Sequence, residues 1–174
     1  DAGCEVRLRR LPSLAGAGAR AGAGAGVRTE TGTELPVATA ADLTWADGLA
    51  WGMSSAHGSL PASVAYFIER SQTILPAADY LNKVVTAFGA TANAHCGGES
   101  MLLSLYTAMH HWDALIAAPG YTDPAVFAAG GNPYGTLHLD RNGPTLDQAL
   151  ASARFQGGRL AGLTRWIGGL DPGA

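Results

Sequence analysis

From Cys4 to Arg10 apolar Cys4, Val6 and Leu8 alternate with charged Glu5, Arg7 and Arg9. A period of two predicts a strand with one wet face, placed at a sheet edge. The stretch Leu14 to Glu34 is glycine and alanine with few bulky side chains, so it reads as a flexible connection. A helical turn follows over Ala40 to Leu43, then a short apolar strand from about Gly48 to Met53. A loop of small residues, Ser54 to Ser59, leads to a helix opening near Pro61, a residue suited to the first helical turn. The same order recurs in "NKVVTAFGA", a near-continuous apolar strand, "TANAHCGG", a small-residue loop, and "ESMLLSLYTAMHHW", a helix with Met101, Leu102, Leu105 and Met109 on one stripe. "DALIAAPGY" reads as a buried strand stopped by Pro119 and Gly120. A long closing helix takes Thr145 as N-cap and places Leu146, Leu150, Phe155, Leu160, Leu163 and Ile167 at apolar positions. Strands alternating with helices imply a parallel sheet covered on both faces, with ligands held beyond the carboxyl ends of the strands. The loops Ser54 to Ser59 and Ala90 to Gly98 occupy that rim.

At 174 residues and 47% apolar the chain suits one domain with one core. A formal charge of -3 and no basic stripe beyond "VRLRRL" argue against nucleic acid as a partner. No run approaches the roughly 18 to 20 apolar residues of a membrane helix, and no charged-then-apolar leader opens the chain. Cys4 and Cys96 lie far apart and form no disulfide framework. These features lead us to expect a soluble, cytoplasmic protein. The chain starts at Asp1 without methionine, so we expect a processed chain or a fragment.

Four segments then carry a resemblance. "CGGES" at Cys96 to Ser100, "APGYTDPAVF" at Ala118 to Phe127, "GGNPYGT" at Gly130 to Thr136 and "ARFQGGRLAGL" at Ala153 to Leu163 resemble, in order and spacing, the flavodoxin-like NAD(P)H:quinone oxidoreductases of the WrbA type. The resemblance implies an α/β fold, a flavodoxin-like doubly wound parallel sheet of order 2-1-3-4-5 in a three-layer sandwich. It implies FMN at the carboxyl edge, two-electron reduction of quinones by NAD(P)H, and a homo-oligomer, dimer or tetramer. The glycine-rich segment after Pro119 resembles the family's insertion after the last strand. Against the family, this chain opens at the second strand. We therefore expect residues 1–174 to form a single, N-terminally incomplete domain lacking the central strand-helix unit and its phosphate loop.

Aligned with the family's flavin-ring loop are Ser55, Ala56 and His57, where the family's arginine and phenylalanine are replaced. The second ring loop falls at Ala90, Thr91, Ala92, Asn93, Ala94 and His95, where backbone amides would serve the ring. The family tryptophan beside the quinone falls at Leu75. His111 matches the histidine that approaches the flavin, in the family's catalytic role. A helix from about Gly98 to His111 is about 20 Å long, so His111 is expected to serve a neighbouring subunit. His95, Cys96, His110 and His111 are metal-ligand types, but their spacing matches no common site, so no metal is expected. A flavin-less flavodoxin-fold scaffold, acting through oligomer or partner binding, is the alternative reading.

Overall fold

The computed structural model describes residues 3–12, 32–54 and 57–170. Ten elements follow the expected alternation. A short helix α1 (Ala40–Trp45) precedes strand β1 (Gly48–Ser54), helix α2 (Ala62–Gln72), a 3-10 turn (Ala77–Asp79), strand β2 (Val84–Thr91) and helix α3 (Gly98–His110). Then come β3 (Leu115–Ile116), α4 (Pro124–Ala128), β4 (Leu137–Leu139) and α5 (Leu146–Gly168). Thr145 caps α5 as expected, accepting the Gln148 N–H while Gln148 reaches back to the Thr145 N–H.

All four strands are parallel, and β2 is the hub. β1 pairs along it from Gly48↔Val84 to Ser54↔Ala90. β3 pairs with the start of β2, at Val84 and Val85, and β4 with its end, at Gly89, Ala90 and Thr91. Since β1 fills one side of β2, β3 and β4 share the other. Here the sequence reading needs correcting: the glycine-rich segment does not follow the last strand but interrupts it, and the strand resumes at Leu137. Pro119 and Gly120 end the first piece, and "TLHLD" supplies the second, a strand within the turn-rich segment.

Alternation through the sheet fixes the layers. Val85 and Ala87 of β2, with Trp51 and Met53 of β1, point into the main core. There the stripe Met101, Leu102, Leu105 and Met109 of α3 is fully buried beside Val64, Phe67 and Ile68 of α2. Trp51 and Trp112 meet at 6.2 Å and Tyr80 stacks on Trp112 at 4.4 Å. Thr86 points the other way, towards α5. The result is a sheet between α2 and α3 on one face and α5 on the other.

The inward face of α5 is not the leucine stripe. Ala149, Ser152 and Gln156 are its buried positions, whereas Leu146 and Leu150 are 58% and 41% exposed. Small residues let α5 lie close on the strands: at Gly48 an added methyl group would meet Thr164 and Leu160. Gly157 and Gly158 lie within α5 with nothing within 4 Å of an added Cβ. Gly157→Ala is expected to stabilise the chain by about 0.5–1 kcal/mol through helix propensity alone. Thermal melts of the variant should show a midpoint raised by about 1–4 °C.

Cys4 to Arg10 is the second correction. Among the described residues it forms no strand: its one bridge is Arg10↔Val37, and no strand lies beside it. The charges assigned to a wet face grip α1 instead. The Arg7 guanidinium lies 3.8 Å over the Trp45 ring, and Arg9 Nε donates to Asp42 at 2.8 Å. Burial raises the Asp42 pKa, but hydrogen bonds from Thr39 and the Arg9 charge outweigh it and hold the carboxyl below its ordinary value. The glycine-alanine connection lies outside the described residues up to Thr31.

Candidate functional site at the carboxyl rim of the sheet

Two of the loops leaving the carboxyl ends of the strands meet. Because Ser54 pairs with Ala90, the loops after β1 and β2 start side by side. They touch at Gly58 and Gly97, which adopt φ of +66° and +71°. A Cβ on Gly97 would stand 2.5 Å from Gly58 Cα, and one on Gly58 would stand 3.1 Å from Gly97 Cα. Two backbones in contact, both left-handed, require glycine on each side. The third wall is β4, whose Leu137 packs where a Cβ on Gly98 would lie.

The second loop is shaped from within by one asparagine. Asn93 Oδ1 accepts the His95 N–H at 2.9 Å, Asn93 O accepts the Cys96 N–H at 3.3 Å, and buried Thr91 Oγ1 donates to Asn93 O at 3.1 Å. Among the described residues the N–H groups of Ala92, Asn93 and Ala94 donate to nothing. Three successive amides at an exposed rim can bind acceptors on a planar ligand. Ala90 is half-buried at the strand end, and Ala92 to His95 are exposed. The His95 amide is already used by Asn93, which narrows the amide set expected from Ala90 to His95. In the first loop His57 is exposed, while Ser55 and Ala56 lie outside the described residues.

Leu75 and His111 are elsewhere. Both stand near the amino edge, because α2 and α3 run antiparallel to the strands and end there. Leu75 is half-buried against the core, its N–H donating to Ser71 O. His111 is exposed and caps α3 at its C-terminus, about 20 Å from Gly97 at the helix start. Nearby, burial lowers the Lys83 pKa against the opposing pull of Asp47 and Asp79, and its ammonium donates to Ala46 O. One rim residue escaped the sequence reading. His138 of β4 pairs with Ala90, and its buried Nδ1 has no partner among the described residues. Only the alternation Leu137, His138, Leu139 signalled it. No group of three metal-ligating side chains occurs among the described residues, and none of their helices is long and apolar enough to cross a membrane.

No protein-family profile matches the chain. It is 34% identical over 131 residues to NAD(P)H dehydrogenase (quinone) of Deinococcus radiodurans, a match spanning 75% of this chain and 66% of that protein. With the NAD(P)H dehydrogenase (quinone) of a Chelativorans species it shares 30% identity over 171 residues, covering 94% of this chain and 84% of that one. The solved structure of the flavodoxin-type, WrbA-like protein from Agrobacterium tumefaciens superposes with a TM-score of 0.58 at 19% identity, over 72% of this chain and 71% of that one. That likeness shows the fold, and the sequence relatives show the family. The chain belongs to the NAD(P)H dehydrogenase (quinone) family and has the WrbA-like flavodoxin fold.

Proposed function

We propose that the chain serves an FMN-dependent NAD(P)H:quinone oxidoreductase and that the rim after β1 and β2 holds the flavin ring. The observation that carries this reading is the contact of Gly58 with Gly97 beside the undonated amides of Ala92, Asn93 and Ala94. Main-chain donors recognise the polar edge of an isoalloxazine without help from the side chains that Ala56 and His57 replace. When bound, the flavin supplies the two-electron redox chemistry, and the protein supplies orientation and electrostatics. Thr91 and Asn93 hold the amides in place, and His57 and His95 border the ring position.

Two further features extend the reading. Leu75 and His111 stand at the opposite edge, so they approach a flavin only from another copy, which supports a homo-oligomer, dimer or tetramer. Among the described residues β1 pairs with β2 alone, and Phe88, Ala50 and Gly52 are exposed on the α5 face beside it. That open edge and apolar floor suit a further strand and helix bringing a phosphate loop. Neither Cys4 nor Cys96 is bonded in a disulfide, which fits a reducing cytoplasm.

The test is titration with FMN, read by quenching of flavin fluorescence, followed by NADPH oxidation with a benzoquinone. We expect saturable quenching and quinone-dependent oxidation, with affinity rising at least about tenfold once a strand-helix segment with a phosphate loop is joined before Asp1. Absence of quenching in both forms overturns the flavoenzyme and leaves the scaffold reading.

A further inference from the structure

The interruption of the last strand leaves Ala87, in the middle of β2, without a ladder partner on the side that β3 and β4 share, although β1 pairs with it on the other. We propose that Tyr106 and Gln156 are positioning residues that replace the missing ladder from opposite faces of the sheet and thereby fix where the insertion, residues 117–136, stands against the rim. The insertion's role in substrate binding rests on the function proposed above, but the clamp itself does not.

Both backbone polar groups of Ala87 find partners across the gap. The Ala87 N–H donates to Tyr106 Oη at 3.1 Å, and the same hydroxyl donates to Tyr134 O in the returning limb of the insertion. Ala87 O accepts from Gln156 Nε2 at 2.7 Å. The other Nε2 hydrogen goes to Thr86 Oγ1 at 2.7 Å, and that hydroxyl donates to Ala117 O at 2.8 Å in the departing limb. Gln156 Oε1 accepts the Thr136 N–H at 2.9 Å, and Thr136 Oγ1 meets Ser152 Oγ at 2.8 Å. Tyr106 comes from α3 and Gln156 from α5, so one backbone residue is held from both layers. Gly120 N–H to Pro133 O closes the neck of the insertion at 3.1 Å.

The chemistry at this point specifies glutamine. Its amide must offer two donors towards β2 and one acceptor towards Thr136, so it has one orientation. Leucine supplies neither, a carboxylate lacks the donors, and asparagine is a methylene short. Burial raises the Tyr106 pKa, so its phenol stays protonated and remains a donor to Tyr134 O. What the clamp positions is substantial. The insertion bears the Tyr121 and Phe127 rings, stacked at 5.4 Å and exposed, and Tyr134. Beyond the clamp, β4 places Leu137 and His138 beside Ala90 and Gly98 at the rim. Losing it frees this wall while the rest of the sheet stays paired.

Limited digestion with chymotrypsin reads the clamp directly, because Tyr121, Phe127 and Tyr134 lie on the insertion and Tyr66 lies on α2 as an exposed internal reference. In Tyr106→Phe and Gln156→Leu, cleavage within the insertion is expected to rise at least about tenfold relative to cleavage after Tyr66. The milder Ser152→Ala, which removes one hydrogen bond, should raise the ratio about threefold and covers the case in which the stronger variants fail to fold. In the FMN-loaded enzyme Tyr106→Phe should raise the benzoquinone KM about tenfold with kcat held. An unchanged cleavage ratio in Ser152→Ala and Tyr106→Phe, or a rise shared equally by Tyr66, overturns the clamp. An altered ratio with no flavin binding even in the parent chain keeps the clamp and overturns the function proposed above.

Discussion

Gly97→Ala is expected to separate the two rim loops and to cost about 2–4 kcal/mol of stability, with FMN binding weakened at least about tenfold. Two terms add. The left-handed backbone at +71° disfavours any Cβ, by roughly 1–2 kcal/mol. The new methyl would also stand 2.5 Å from Gly58 Cα, which is main chain and cannot rotate away. Gly120→Ala is the control, since Gly120 has a φ of +66° with nothing within 4 Å of an added Cβ. It should lose the conformational part alone and leave flavin affinity unchanged. Denaturant melts and flavin quenching on both variants separate the terms. Equal losses of flavin affinity in the two would mean that contact between the loops is irrelevant to the ring site.

That contact explains how far the sequence could be read. Period and composition placed β1, α2, β2 and α3 within a residue or two, because each has a strong apolar pattern bounded by small residues or proline. Those patterns also put both loops on one edge of a parallel sheet, and the register Ser54↔Ala90 does so. Patterns carry no information on what a loop does with its own donors, so the use of the His95 amide by Asn93 was invisible. β4 was missed because its three residues are too few for a period and follow a turn-rich segment. Cys4 to Arg10 misled for the opposite reason. Its alternation is real, but a strand also needs a neighbour, and its arginines find Trp45 and Asp42 instead. On α5 hydrophobicity does not mark burial, since Ala149, Ser152 and Gln156 are its buried residues. Close approach to a sheet selects alanine, serine and glycine, and the strand gap selects glutamine, so Leu146 and Leu150 point away while Leu160 packs beside Gly48.

The two leucine stripes can be compared directly. Leu105→Ala is expected to cost about 2–5 kcal/mol, and Leu150→Ala less than about 0.5 kcal/mol. Leu105 is 0% exposed among Met101, Leu102 and Met109, so truncation removes buried surface and leaves a cavity that a fixed helix and strand cannot close. Leu150 is 41% exposed on the outer side of α5, so truncation removes less buried surface than at Leu105 and opens onto solvent instead of leaving an enclosed cavity. The measurement is the denaturant midpoint of each variant at constant slope. Because α3 runs from Gly97 at the rim to His111 at the amino edge, loosening Leu105 should also weaken flavin binding. The comparison bears on the open edge of β1 as well. Joining the further strand-helix segment beside β1 would place a helix against this side of α5. In that longer chain Leu150→Ala should become costly, about 1–3 kcal/mol, while Leu105→Ala is unchanged. A Leu150→Ala cost that is the same in both chains would mean that the exposed side of α5 and the floor at Phe88 do not seat that helix.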